Sequence, residues 1–243
     1  MTELDLLAEF AQEVKRHQLD FLVRGLLGAN DRVYPLGLDT KVLSTVFEIF
    51  TRPIVAHIAK SHGMMVEESP QTIYPDFTVM DSRDSRRKIA IDIKTTYRRP
   101  GIQFTLGSYT SFLRNGTKNI LFPYADYAQH WIIGFVYDRA KIPIAQDKSF
   151  DERNEISIPY AKVEWFVQEK YKISGDRPGS GNTANIGSIR STALSDFVKG
   201  NGPFAMLGEK VFRDYWANFG KALAGRTYAN VADYLAWKKK QSP

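Results

Sequence analysis

The spacing of apolar residues changes along the chain from a helical period to strict alternation and back again. A first helix is predicted from an apolar face made of Leu4, Leu6, Leu7, Phe10 and Val14. A second helix is predicted over residues 40–50, with Asp39 or Thr40 as its N-cap. Pro53 either kinks this helix or lies in the first turn of another helix that ends at Gly63.

Strand signals occupy the middle of the chain. Residues 88–97 alternate strictly, with Ile89, Ile91 and Ile93 on one face. Further strands are predicted at 74–80, 119–123, 130–139 and 163–173, a short helix at 108–116, and more helices at 195–200, 211–223 and 230–237. This order predicts an α/β fold with a mixed central β-sheet flanked by helices. Because no change in composition marks a boundary, we expect a single domain over residues 1–243.

Composition describes an ordinary globular protein with a basic surface. The chain has 243 residues, 43% of them hydrophobic, no cysteine and a net charge of +6. The absence of cysteine excludes disulfides and thiolate metal sites. No run of 18 apolar residues is present and the N-terminus is acidic, so we expect no membrane span, no secretory signal and a cytoplasmic protein. The positive charge favours a polyanionic partner, although many basic proteins bind no nucleic acid.

The strand at residues 88–97 carries the first candidate chemistry. Asp92 and Lys94 share the face opposite the isoleucines, and Asp76 stands at the start of the preceding strand, directly after Pro75. Two carboxylates on adjacent strands suit Mg²⁺, which accepts oxygen ligands and a substrate phosphate. A neighbouring ammonium can stabilise the negative charge of phosphodiester hydrolysis. On spacing alone, the alternative that Asp92 and Lys94 form a solvated strand face stays open.

Other polar residues carry weaker signals. Glu48 lies in a narrow polar stripe of the second predicted helix, whose apolar face comprises Val42, Leu43, Val46, Phe47, Ile49 and Phe50. A surface ion pair of Glu48 with Lys41 or Arg52 explains that stripe equally well. The four histidines show no metal-ligand spacing, and the chain has no G-x-S-x-G nucleophile motif.

A glycine-rich stretch, GDRPGSGNTANIGSI, spans residues 175–189. Gly179, Gly181 and Ala184 fit a loosened G-x-G-x-x-G/A dinucleotide motif. The segment that follows is a poor helix start, and the acidic residue that such a site needs further on is missing. The stretch is therefore either a plain turn or a loop whose small side chains bring the backbone close to the edges of bases.

Longer segments add to these short patterns: YPLGLDTKVLSTVFEIFTRPI (34–54), YPDFT (74–78), KIAIDIKTTY (88–97), FTLGSYTSFLRNGTKNI (104–120), HWIIGFVY (130–137) and GSGNTANIGSI (179–189). Along these segments, which extend over most of its length, the chain resembles the EcoRV family of type II restriction endonucleases, which share the PD-(D/E)xK pattern. The resemblance implies a restriction endonuclease-like core. Long ungapped matches are far more specific than the short acidic pattern by itself.

The resemblance also implies roles for individual residues. It makes Asp76, Asp92, Lys94 and Glu48 catalytic and assigns metal binding to Asp76, Asp92 and Glu48. It implies base recognition by the loop residues Gly179, Ser180, Gly181, Asn182, Thr183 and Asn185. It places backbone or supporting contacts to DNA on Thr40, Lys41, Gln71, Thr95, Thr96, Lys118, Lys221 and Arg226.

Finally, the resemblance implies a reaction and its partners. We expect a Mg²⁺-dependent homodimer that bends double-stranded palindromic GATATC and cuts its central TpA step to blunt ends, with no nucleotide cofactor. Two segments, 69–73 and 98–103, are shorter than their counterparts in the family, which puts an unchanged specificity in doubt. The alternative function is a DNA-binding protein of the same fold that does not cleave.

Overall fold

The computed structural model describes residues 4–141, 146–180, 183–221 and 228–241. Its helices are α1 (Leu6–Arg16), α2 (Thr40–Ser61), α3 (Lys170–Ile173), α4 (Leu194–Lys199), α5 (Glu209–Asn218) and α6 (Val231–Gln241). Its strands are β1 (Gly25–Leu27), β2 (Arg32–Pro35), β3 (Met65–Glu68), β4 (Phe77–Met80), β5 (Lys88–Tyr97), β6 (Thr105–Ser108), β7 (Tyr127–Arg139), β8 (Lys148–Ser149), β9 (Tyr160–Glu169), β10 (Ser174–Ser180) and β11 (Thr183–Ser188).

A five-stranded mixed sheet forms the centre, in the order β3-β4-β5-β7-β9. Strands β5 and β7 are parallel, whereas the other neighbours in this sheet are antiparallel. The parallel pair sets Lys94 opposite Gly134, and the antiparallel pair with β9 sets Gly134 opposite Phe166. The predicted mixed sheet flanked by helices is confirmed.

The two faces of this sheet contact different helices. Ile89, Ile91 and Ile93 of β5 pack with α1 and α2 in one hydrophobic cluster. The opposite face, with Ile132, Val136 and Phe166, packs against α4, α5 and α6 in a second cluster. A sheet covered on both sides needs apolar residues at nearly every position, so a charged side chain in the middle of β5 requires a special environment.

Helix α2 is a single helix of 22 residues that continues through Pro53. It begins where the sequence predicts, because the Asp39 carboxylate accepts a hydrogen bond from the backbone N–H of Lys41 at 2.7 Å. The predicted apolar face is too wide, since Val42 and Ile49 are 38% and 49% exposed. Within the described residues, α2 is the one helix long and apolar enough to cross a membrane. Its buried side, however, packs into the core of the fold.

Some predicted elements are wrong. Residues 119–123 form no strand: Ile120 makes one isolated bridge to Tyr74, and Pro123 lacks the N–H that would extend a ladder. The predicted helix at 108–116 is a single π-helical turn at Tyr109–Leu113. The strand predicted at 163–173 ends at Glu169, where α3 begins.

Two further sheets escape the sequence patterns. Strands β1, β2 and β8 form one of them, and β10, β11 and β6 form the other. The second sheet contains the glycine-rich stretch, which is therefore mostly an antiparallel hairpin rather than a loop. Strands β1, β2, β6 and β8 have four residues or fewer, which are too few for a reliable period.

Gly134 tests how tightly the second hydrophobic cluster packs at the centre of the sheet. A Cβ atom at this position would lie 2.1 Å from Cε1 of Phe166, a ring that is fully buried. We expect Gly134→Ala to lower the free energy of unfolding in urea by about 1–3 kcal/mol, because overpacking displaces the core. Gly116→Ala is the matched control, since its nearest neighbour lies 3.9 Å away. Equal stability of the two variants would contradict this packing.

Candidate active site

Strand β5 places Asp92 and Lys94 on the face of the sheet opposite the isoleucines, as alternation predicts. This face is not solvated at Asp92, which is only 3% exposed. The solvated-face alternative is therefore wrong for this residue. A buried carboxylate costs free energy unless other groups compensate its charge.

Asp76 precedes β4 directly and follows a cis peptide bond between Tyr74 and Pro75. The backbone N–H of Ile93 donates a hydrogen bond to Oδ2 of Asp76 at 2.6 Å. This hydrogen bond joins the start of β4 to β5 beside Asp92. The sequence predicts the neighbouring strands, and the structure supplies the contact that fixes the carboxylate.

Lys94 lies against the carboxylate of Asp92. Its Nζ is 2.6 Å from Oδ2 of Asp92 and donates a hydrogen bond to the carbonyl oxygen of Ile93 at 3.2 Å. Apart from this ion pair, Oδ2 of Asp92 has no hydrogen-bond partner within the described residues. The ion pair leaves acceptor capacity on this oxygen for a further ligand.

Crowded charges shift the protonation of these groups. Burial raises the pKa of Asp76 to about 7, and repulsion by Asp92 adds to the shift, against the smaller effects of Lys94 and of the Ile93 N–H. Burial opposes the charge on Lys94, but Asp92, Asp76 and Glu48 outweigh it and raise the pKa of its ammonium. Strong shifts that arise from burial and a specific partner are typical of functional sites.

Glu48 of α2 interacts electrostatically with this cluster. Burial raises the pKa of Glu48, while Lys94 lowers it and Asp92 raises it further. Arg52 forms an ion pair with Glu68 at 2.8 Å and lowers the pKa of Glu48 less than Lys94 does. Within the described residues, no group of three His, Cys, Asp or Glu side chains is close enough to hold a metal ion. Asp92 raises the pKa of Asp76 more than Glu48 does, so the stronger carboxylate–carboxylate interaction is between Asp76 and Asp92.

Asp76, Asp92 and Lys94 line a cleft of about 370 Å³, and Lys118 lies at its exposed rim. A neighbouring cleft of about 420 Å³ contains Gln71, Glu48 and again Asp76. The structure thus brings two of the eight predicted contact residues, Gln71 and Lys118, to the edge of the acidic cluster.

The other predicted contact residues are dispersed. Thr40 and Lys41 are exposed at the start of α2. Thr96 lines a third cleft, of about 330 Å³, together with Gly179, whereas Thr95 lies on the opposite face of β5. Lys221 donates a hydrogen bond to Asn218 at 3.4 Å, and Arg226 lies outside the described residues.

The predicted recognition loop is the β10–β11 hairpin. A Cβ atom on Gly179 would lie 2.9 Å from Cα of Gly187, so the two strands approach closely where neither residue has a side chain. Asn185 pairs with Ser108 of β6, which continues towards the acidic cleft. Gly181 and Asn182 lie outside the described residues, as do the side chains of Ser180 and Thr183. Because a strand follows the hairpin tip and not a helix, the dinucleotide-site alternative is wrong.

Sequence reasoning missed a buried polar group behind the cleft. His130 and Lys170 are 4% and 1% exposed, and Nδ1 of His130 lies 2.8 Å from the hydroxyl of Tyr74. Burial lowers the pKa of His130 well below its usual range, with further contributions from Lys170 and Arg213. The one available signal is a lysine inside VEWFVQEKYKI, a segment whose apolar residues predict a strand.

A mixed sheet with Pro75-Asp76 directly before one strand and Asp92-Ile93-Lys94 on the next defines a nuclease core of the PD-(D/E)xK class. The family model described as restriction endonuclease EcoRV matches residues 17–239. The type II restriction enzyme EcoRV of Escherichia coli is 49% identical over 223 residues, which cover 88% of this chain and 90% of that protein. The chain belongs to the EcoRV family of restriction endonucleases, which are DNA-binding hydrolases.

The raised pKa of Asp76 leads to a prediction about stability. The folded protein retains this proton between the ordinary value of 3.8 and about 7, so ionisation of Asp76 destabilises the fold as the pH rises through that window. We expect Asp76→Asn, which can still accept the Ile93 N–H, to raise Tm by ~2–4 °C at pH 8 without metal, and to leave it unchanged at pH 4. Asp81→Asn, at an exposed position, is the control. An equal effect at both pH values would contradict the assignment.

Proposed function

We propose that this protein is a Mg²⁺-dependent type II endonuclease that hydrolyses double-stranded GATATC at its central TpA step and leaves blunt ends. The observation that carries the proposal is the cluster of Asp76, Asp92 and Lys94 in one cleft. The identity of 49% to the Escherichia coli enzyme supports it, because that similarity extends over nearly the whole chain.

The donor set of the cleft fits a magnesium ion. Asp76 and Asp92 offer only oxygen atoms, and a buried oxygen of Asp92 lacks a hydrogen bond within the described residues. The mutual repulsion that raises the pKa of Asp76 would be relieved by a divalent cation. Both carboxylates would hold the ion, with Glu48 as an outer contributor. When bound, Mg²⁺ supplies Lewis-acid stabilisation of the charge that develops on the scissile phosphate.

The residues of this chain supply the remaining chemistry. Hydrolysis forms a bond from a water oxygen to phosphorus and breaks the bond to the 3′-oxygen, so negative charge increases on the phosphoryl oxygens. The Lys94 ammonium faces the cleft with a raised pKa, which keeps it protonated at neutral pH, and it stabilises that charge. Asp76 must lose its proton before the carboxylate pair is complete, and a bound cation favours that loss.

Base recognition belongs to the β10–β11 hairpin in this proposal. The close backbone approach at Gly179 and Gly187 makes a thin ribbon, of the kind that the major groove admits. Gly179, Ser180, Gly181, Asn182 and Thr183 would contact the base edges, with Asn185 in support. Lys118, Gln71, Thr40, Lys41, Thr95, Thr96, Lys221 and Arg226 remain the proposed contacts to the DNA backbone or their supports.

Deformation of the target adds to selectivity. A TpA step is among the easiest to unstack, so a protein that bends its site favours this sequence even where it makes no base contact. The cleft carboxylates and the phosphate would then meet only on DNA that bends readily. This coupling explains how a small recognition hairpin can discriminate strongly.

A palindromic target calls for two identical subunits, and the small β1-β2-β8 sheet offers a surface for them. Leu26, Leu27 and Tyr34 of this sheet, together with the adjacent Phe150, are between 44% and 58% exposed. Apolar side chains clustered in this way mark an interaction site. We assign this surface to the homodimer contact. A single-domain chain, a cytoplasmic location and the lack of membrane or nucleotide partners complete the proposal.

Digestion of a sequenced plasmid tests the reaction. We expect Mg²⁺-dependent cleavage at GATATC with blunt ends, read by sequencing every fragment end. Asp92→Asn should slow cleavage about 1,000-fold or more, equivalent to about 4 kcal/mol, because half of the carboxylate pair is lost. Asp138→Asn is the control and should cleave normally. It removes a carboxylate near the end of β7 that pairs with Arg98. A plasmid left uncut across a range of salt and pH, while still bound, would favour the non-cleaving alternative.

The dimer surface has its own test. We expect the double variant Leu26→Lys/Leu27→Lys to sediment as a monomer at concentrations where the wild-type protein is a dimer, because two buried ammonium groups would oppose association. Val198→Lys changes an equally apolar residue that is 41% exposed on α4 and should leave the dimer intact. A monomeric wild-type protein, or a dimeric double variant, would refute the assignment of this surface.

A further inference from the structure

Lys170, the first residue of α3, is buried in an unusual way. Its side chain is 1% exposed, and Nζ has no hydrogen-bond partner within the described residues. A buried lysine is normally paired with an acceptor, because removal of an ammonium from water costs several kcal/mol in the absence of compensation. A group kept at such a cost calls for an explanation from its surroundings.

Lys170 lies next to residues that line the acidic cleft. Its Nζ lies 4.2 Å from the ring centroid of Tyr74 and 4.8 Å from that of Phe112, so both rings stabilise a positive charge there. A Cβ atom added to Gly107 would lie 3.7 Å from Nζ. Tyr74, Phe112 and Gly107 all line the cleft that contains Asp76 and Asp92. The ammonium therefore lies directly behind the wall that faces the carboxylates.

The charges around Lys170 connect it with those carboxylates. Burial lowers the pKa of Lys170 to about 7; Asp92 opposes this most strongly, Lys94 adds to the lowering, and Glu209 and Asp76 oppose it more weakly. The neighbouring His130 responds in turn, since burial and then the charge of Lys170 lower its pKa. Tyr74 is the ring in contact with both groups. Of all its neighbours, Asp92 thus has the strongest electrostatic interaction with Lys170.

We propose that Lys170 tunes the binding of the divalent cation. Its buried charge compensates the Asp76–Asp92 pair in the metal-free cleft and thereby weakens the affinity of that pair for metal. The inference rests on the proposed function, because it assumes that these carboxylates hold the ion. A cation between them repels an ammonium just behind the wall, so charge on Lys170 and metal in the cleft oppose each other.

Linkage makes this opposition reciprocal. Metal binding drives Lys170 towards its neutral form, and loss of that proton at higher pH strengthens metal binding. Asp76 also loses a proton in the same pH range, so the pH dependence of the wild-type protein cannot separate the two groups. A neutral side chain of similar volume at position 170 separates them, because Asp76 remains unchanged.

Direct measurement of Mn²⁺ binding by electron paramagnetic resonance tests the inference without activity. We expect Lys170→Met to bind Mn²⁺ about 3–10-fold more tightly than wild-type protein at pH 6.5, where Lys170 carries its charge. The difference should vanish at pH 9, where the wild-type lysine is neutral. Lys172→Met is the matched control, since this lysine of the same short helix pairs with Glu169 at the surface, and it should bind like wild type.

The possible outcomes are distinct. Equal Mn²⁺ affinity of Lys170→Met and wild type at pH 6.5 would overturn the inference and leave the proposed function intact, even if Tm changes. Wild-type protein that binds Mn²⁺ no better than Asp92→Asn would instead remove the metal site itself, and both proposals with it. Lys170→Gln serves as a second neutral variant. If circular dichroism shows that neither variant folds, the ammonium serves core packing and the inference is refuted.

Discussion

The geometry of the site depends on the hydrogen bond from the backbone N–H of Ile93 to the carboxylate of Asp76. This bond holds the start of β4 against the middle of β5 and thereby keeps Asp76 beside Asp92, although the two carboxylates repel each other. Burial, and then the repulsion by Asp92, raise the pKa of Asp76. The sheet, whose neighbouring strands are fixed by burial on both faces, provides the rigidity that keeps such a pair together.

Two lysines balance this negative charge from different sides. Lys94 reaches the cleft and pairs with Asp92, whereas Lys170 lies behind the wall between aromatic rings. Only the first can touch a substrate, but both act on the electrostatic potential at the carboxylates. Because charges in a partly dry cleft interact more strongly than in water, small changes behind the wall alter what the cleft binds. The buried charges at the site lower the stability of the folded protein, and the same charges set the electrostatic environment of the cleft in advance.

Secondary-structure elements that depend on residues close together in the chain are predicted correctly from the sequence. Elements that depend on contacts with distant residues are not. The bounds of β5 and the Asp39 cap of α2 follow from alternation and from a side chain that bonds its own helix. Residues 119–123 look like a strand because they are apolar, but they find only Tyr74 as a neighbour. The glycine-rich stretch looks like a loop because its side chains are small. The absence of side chains at its glycines is, however, what lets its two strands approach closely and pair.

By itself the sequence determined the order of elements, the face of β5 that carries Asp92 and Lys94, and, through long similar segments, the family. These properties depend on residues close together in the chain or on inherited similarity. The tertiary structure alone decided that Asp92 is buried, that Glu48 interacts with Asp92 and Lys94, and that Lys170 lies behind the cleft. Burial and charge coupling arise between elements that are remote in sequence, so no local pattern encodes them.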